Sequence, residues 1–231
     1  RDLLAKGLIG FLHFLLGKLR VDVEADLIHA GLVISRLDLR LGAISTATIG
    51  LIYKPEQVGE TGVPVLRANN ILGSEISVDG IIRVNASVPD SKMAEIGDIL
   101  ICVRSGSKAL IGKCAVIRES GYSFGAFMTL LRSDFNPYLF RFLQSAAFRK
   151  QIDDRKSTGI NQLTQSTLNN VVLPLPPLAE QAAIVARLDA LMSTCRALES
   201  EVEHSRTHAA HLLQAVLKEA FAPVAELTDT T

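Results

Sequence analysis

Three short stretches of this sequence carry side chains able to recognise another molecule. "LRANN" sets Arg67, Asn69 and Asn70 together; "RSGSK" sets Arg104, Ser105, Ser107 and Lys108 in one turn. "KSTGINQLTQ" adds Lys156, Ser157, Thr158, Asn161, Gln162 and Gln165 within ten residues. The guanidinium fork of Arg matches guanine O6 and N7, the amides of Asn and Gln match adenine, and Lys and Ser hold phosphate oxygens. The same residue types also build turns for purely local reasons. Residue type alone leaves both readings open.

Other chemistry is less well supported. "GSKALIGK" has the glycine spacing of a phosphate-binding loop, but Lys113 is followed by Cys114 rather than Ser or Thr, and a strand pattern follows where a helix is required. "FNPYLF" touches the Asn/Asp-Pro-Pro-aromatic loop of amino-methyltransferases, which grips a flipped base. Its second proline is missing, and no glycine-rich fingerprint for S-adenosylmethionine precedes it. Asn136 and Pro137 read instead as the cap and first residue of a helix. No histidine occurs between residues 36 and 176, which argues against Ser-His-Asp or Cys-His hydrolysis there. His204, His208 and His211 share one face of a later helix, where a solvated flank is the expected role and no metal is assigned. Cys102, Cys114 and Cys195 form no C-x-x-C pair, and the odd count fits buried thiols in a reducing cytoplasm.

The elements that must position these groups fall into two kinds. From residue 41 to about 133, β-branched runs alternate with Gly, Asn and Ser turns: "LGAISTATIGLIY", "VPVLRANNI", "GDILICVRSGS", "LIGKCAVI" and "AFMTLLRS". A compact β-rich body is expected. Helical patterns then follow at "NPYLFRFLQSAAFRKQI" and "LTQSTLNN". Pro174, Pro176 and Pro177 interrupt them, either as a stiff extended entry that fixes an angle or as a plain linker. Beyond Pro177 the apolar positions keep a 4-3 alternation: Ile184, Leu188, Leu191, Cys195, Leu198 and Val202, then Ser205 and Ala209, then Leu212 and Val216. This heptad seam predicts a helix of roughly 60 Å, too long for the body to cover, with an apolar edge that needs a mate.

Composition sets outer bounds. The chain has 231 residues, 48% of them apolar, and a net charge of zero, so a sizeable core is expected. Residues 36–176 hold 16 Lys/Arg against 12 Asp/Glu, whereas residues 177–231 hold 4 against 8. A mildly basic body and an acidic helix point to different partners for each, or simply to an ordinary solvated surface. "GLIGFLHFLLG", Gly7 to Gly17, is too short to span a bilayer and reads as an amphipathic helix or as a targeting segment.

Taken together, "STGINQLTQSTLNNVVLPLPPLAEQAAIVARLDALM" and the late "LLQAVLKEAF" resemble the specificity subunits of type I restriction-modification systems. "VPVLRANNI" and "GDILICVRSGS…IGKCAVI" resemble strands of the same family. The likeness covers about residues 40–222. It implies an α+β chain: an N-terminal segment (1–35), a target-recognition domain (36–176), a long spacer helix (177–222) and a tail (223–231). It also implies a non-catalytic, cytoplasmic subunit that reads one half of a bipartite site in double-stranded DNA. The helix would act as a ruler and as a docking element for modification subunits, which methylate adenine N6 with S-adenosylmethionine. No cofactor is expected in this chain itself, and no membrane contact. A restriction subunit joining the complex is a further implied partner. Family members carry two recognition domains and two spacer helices, and one of each is found here. A half-length subunit that self-associates through Ile184–Val216 is therefore expected, or else a truncated product. The competing reading is a coiled-coil scaffold that binds no DNA.

Overall fold

The computed structural model describes residues 37–154 and 162–221. The N-terminal segment and the tail of the sequence reading lie outside the described residues. The body is built on one four-stranded antiparallel sheet, ordered Thr46–Ile49, Met128–Arg132, Ile99–Cys102 and Cys114–Val116. Its central strands are buried on both faces, which is why "ILIC" reads as an unbroken apolar run rather than an alternating one. The period-2 geometry of a strand sends alternate side chains to opposite sides. Ile99, Ile101 and Leu131 face one core, and Leu100, Cys102, Met128 and Leu130 face the other.

The first core is closed by the helices Asn136–Leu143 and Ala146–Asp154. Leu139, Phe142, Leu143, Phe148 and Ile152 fill it, with Phe142 and Phe148 meeting edge to face at 6.0 Å. The second core is closed by another sheet, ordered Ser123–Phe124, Val63–Leu66, Ile82–Val84 and Val58–Gly59, in which the first pair is parallel. Leu66, Ile71 and Phe124 seal that side. The body thus has three layers, helices on sheet on sheet, as an α+β chain should.

Two local expectations change. Asn136 does not cap its helix: Phe135 takes that position, and the Asn136 amide donates inward to the carbonyl of Gly97 at 2.7 Å. The hydroxyl of Ser133 accepts the Phe135 N–H instead, at 3.2 Å. The proline doorway, for its part, is not a free linker. Val172–Leu175 is a strand paired antiparallel with Leu37–Arg40, and Pro174 lies opposite Asp38. A two-stranded ribbon has only edges, so a proline without an N–H fits there.

From this ribbon rises one continuous helix, Leu178–Ala220, of 43 residues and about 65 Å. Its root is fixed by side chains. Tyr138 Oη donates to the carbonyl of Pro174 at 2.7 Å, Gln181 Nε2 donates to the carbonyl of Pro176 at 2.8 Å, and Arg141 is paired with Asp189. Glu180 is buried in the first turn, at the positive end of the helix dipole. Along the seam, Ile184, Leu188, Leu191 and Cys195 are half-buried, while Leu198, Val202, Ala209, Leu212 and Val216 are exposed. No described helix is long and apolar enough to cross a membrane.

Candidate nucleic-acid interface

The turn Phe124–Met128 lies where the donor-rich stretches meet. Gly125 N donates to Leu66 O at 2.9 Å, Leu51 N donates to Phe124 O at 2.6 Å, and the Phe127 carbonyl accepts from both Val103 N and Arg104 N at 3.0 and 3.2 Å. One turn is therefore tied to the segments around residues 51, 66 and 104. Gly50 makes this closeness possible: a Cβ there would sit 2.1 Å from the Gly125 carbonyl oxygen. Arg67 and Arg104 converge on this turn. The Cγ of Arg67 is 3.7 Å from the place a Gly125 Cβ would occupy, and the Arg104 guanidinium lies over the Phe127 ring, 5.1 Å from its centroid.

Gln162 joins them through an isolated antiparallel bridge with Arg104, reinforced by a hydrogen bond from Leu163 N to Val103 O at 2.7 Å. The fold thus brings together Arg67, Arg104 and Gln162, which are distant in sequence. Lys108 and Ser107 stand exposed on the short 3-10 turn that follows Arg104. Ser105 is half-buried, and its hydroxyl accepts from Ser107 N at 3.2 Å, so it shapes the turn. Asn69 is exposed. Thr158 and Asn161 lie outside the described residues.

Asn70 departs from the sequence expectation. It is 0% exposed, and its side-chain amide is fully used: Oδ1 accepts from Arg67 N at 3.0 Å, and Nδ2 donates to Ser77 O and Asp79 O at 3.0 and 3.3 Å. It organises the loop and presents nothing outward. A buried amide with satisfied bonds is costly to remove, and that is its role here.

Two side chains at this turn escape a reading by residue type. Phe127 is 54% exposed and Ile52, beside the bridge between Leu51 and Gly125, is 81% exposed. "AFMTLL" reads as the start of a strand, which hides Phe127. The available signal is its place directly after "SFGA", where two small residues mark a turn.

Neither cysteine beneath this turn is activated. Burial pushes the Cys114 thiol up to about 12, and burial likewise raises that of Cys102, so neither yields a thiolate at neutral pH. Among the described residues no group of three His, Cys, Asp or Glu is arranged to hold a metal ion. His204, His208 and His211 stand exposed along the long helix.

Comparison with known proteins gives this geometry a context. Residues 45–204 match the family model described as type I restriction modification DNA specificity domain. The type I restriction enzyme EcoKI specificity subunit of Escherichia coli K12 is 29% identical over 187 residues, and the StySPI specificity subunit of Salmonella potsdam is 30% identical over the same length. Each alignment covers 77% of this chain and 40% of the relative. The chain thus spans about two fifths of those relatives. A solved chain described for complex assembly and conformational transition of the type I restriction-modification system superposes with a TM-score of 0.68 at 26% identity. That match covers 90% of this chain and 55% of that one. The HsdS subunit from Thermoanaerobacter tengcongensis shares the fold, with a TM-score of 0.60 at 24% identity over 81% of this chain and 45% of its own. With more than half its length inside the family model, this chain belongs to the type I restriction-modification DNA specificity domain family.

Proposed function

We propose that this chain is the sequence-reading, non-catalytic module of a type I restriction-modification complex. In this reading the body takes one half of a bipartite site in double-stranded DNA. The long helix holds a second reading element at a fixed distance and offers a docking surface to methyltransferase subunits. Those subunits bind S-adenosylmethionine and methylate adenine at N6, and a restriction subunit completes the assembly. The observation that carries the reading is the convergence of Arg67, Arg104 and Gln162 on one turn of a body rigidly rooted to a helix of about 65 Å. That length is nearly two turns of B-DNA at about 34 Å each. A second spacer helix is the natural mate for the exposed stripe from Leu198 to Val216, whether it comes from another copy or from another chain.

The test is fluorescence anisotropy of the full chain with a random-sequence duplex at about 50 and 200 mM salt. Lys/Arg contacts to phosphates make affinity fall steeply over that range. A flat response overturns the reading. Cross-linked pairs of the long helix without any duplex affinity would support the scaffold instead.

A further inference from the structure

We infer that Phe127 and Arg104 form a single base-reading unit, which takes a guanine through the Arg104 fork and the methyl group of an adjoining thymine through the Phe127 ring. The inference rests on the DNA-reading function proposed above and assigns it a specificity-determining pair.

Three observations carry it. The first is exposure that the fold does not need. Of the six phenylalanines between residues 37 and 154, the other five are buried or half-buried, whereas Phe127 keeps 54% of its surface in solvent. An exposed phenyl ring forgoes the gain of burial, so its face is available to a partner. The second is the state of the guanidinium. Every other described arginine of the body, from Arg40 to Arg149, donates to an amide, carbonyl or carboxylate oxygen. Arg104 donates to none among the described residues; its charge rests on the face of Phe127. Its five N–H donors are therefore uncommitted but not unrestrained.

The third observation is rigidity. The Phe127 carbonyl accepts from Val103 N and Arg104 N, so the two side chains leave from backbones joined to each other. The Gly125 and Leu51 bonds tie the same turn to the remainder of the body. Preorganisation of this kind turns a flexible cation into a directional reader, because less rotamer freedom is lost on contact. Major-groove chemistry then names the ligand. A planar fork pairs with guanine O6 and N7, and an apolar ring meets the one apolar group on that surface, the thymine C5 methyl. Gln162, bridged to Arg104, lies next to the pair.

The experiment is enrichment of sites from a random-sequence duplex library by the full chain at about 50 mM salt, repeated with Phe127→Ala, Phe127→Leu and Arg104→Lys. Thermal melts confirm that each variant folds. The wild type is expected to enrich a guanine beside a thymine. Arg104→Lys keeps the charge but loses the fork, so guanine preference should fall on the order of tenfold or more while overall duplex binding persists. Replacing that thymine with uracil removes only the methyl. It should weaken the wild type about fourfold, leave Phe127→Ala unaffected, and weaken Phe127→Leu to an intermediate extent. If Phe127→Ala and Arg104→Lys both return the wild-type site, the pair does not read bases, although DNA reading by the chain still stands. If the wild type retains no duplex at all, the proposed function itself fails and this assignment fails with it.

Discussion

Two turns of the body are built from similar residues and put to opposite uses. In the 67–70 turn Asn70 faces inward and spends both ends of its amide on the backbone of its own loop. In the 104–108 turn Arg104, Ser107 and Lys108 face solvent, and only Ser105 is turned to the backbone. The difference follows from what lies beneath. The first turn closes over Ser77 and Asp79 and must satisfy their carbonyls. The second stands at the end of the strand pair Ile99–Cys102 and Cys114–Val116, whose own hydrogen bonds are already made, between Cys102 N and Lys113 O and between Gly112 N and Cys102 O, so its side chains are left for other work. Sequence composition cannot tell a donor that organises a loop from one that the loop presents.

The contrast makes graded predictions. Asn70→Ala should have the largest effect and should act on stability. It leaves the Arg67 N–H and the carbonyls of Ser77 and Asp79 without their side-chain partner in a part-buried loop, at a cost of about 2 kcal/mol, or roughly 4–8 °C in Tm. A variant with unchanged Tm but lost duplex affinity would invert the comparison and make Asn70 a reader. Arg104→Ala should do the reverse. Its Tm should stay within about 2 °C, while affinity for a preferred duplex falls by about 1–3 kcal/mol. Lys108→Ala should act more weakly and without sequence preference, reducing the slope of log affinity against log salt by about 1. A slope unchanged from wild type would remove Lys108 from the contact surface.

The effect that vanishes at neutral pH and appears only in alkali concerns the base of the 104–108 turn. Cys114 keeps its proton in the folded protein up to about pH 12, against an ordinary thiol value of 9.0, because burial disfavours the thiolate. The unfolded chain gives up that proton near pH 9. The contribution to stability is therefore complete below pH 9 and declines as pH rises from about 9 to about 12. Denaturant titrations between pH 8 and 11 should show a decline that is shallower in Cys114→Ala. At pH 8.5 a thiol reagent should label Cys195, on the half-covered helix seam, ahead of Cys102 and Cys114.

What could be read in advance divides along the same line. The long helix is legible because its signal is local and repeated: a 4-3 seam held for more than four heptads, preceded by prolines. The double burial of "ILIC" is legible because its apolar run is unbroken. The strand at Val172–Leu175 is hidden because its partner, Leu37–Arg40, lies more than 130 residues away and prolines argue against a ladder. Asn136 looks like a cap by type, yet tertiary contact with Gly97 claims its amide. The convergence of Arg67, Arg104 and Gln162 depends on Gly50 letting two backbones approach, and spacing along the chain carries no trace of that. Phe127 is overlooked for a related reason: an aromatic beside a strand is assumed to be core.

The ribbon at the foot of the helix has a consequence for how the body can be moved between proteins. Leu37 pairs with Leu175, so the path enters and leaves the globule at neighbouring points. A unit with adjacent doors can be exchanged without altering the course of the helix that follows it. Exchange of residues 37–175 for another globule of the same plan that keeps the counterparts of Tyr138 and Arg141 at the root should therefore give a chimera whose rod keeps its direction while its preference follows the graft.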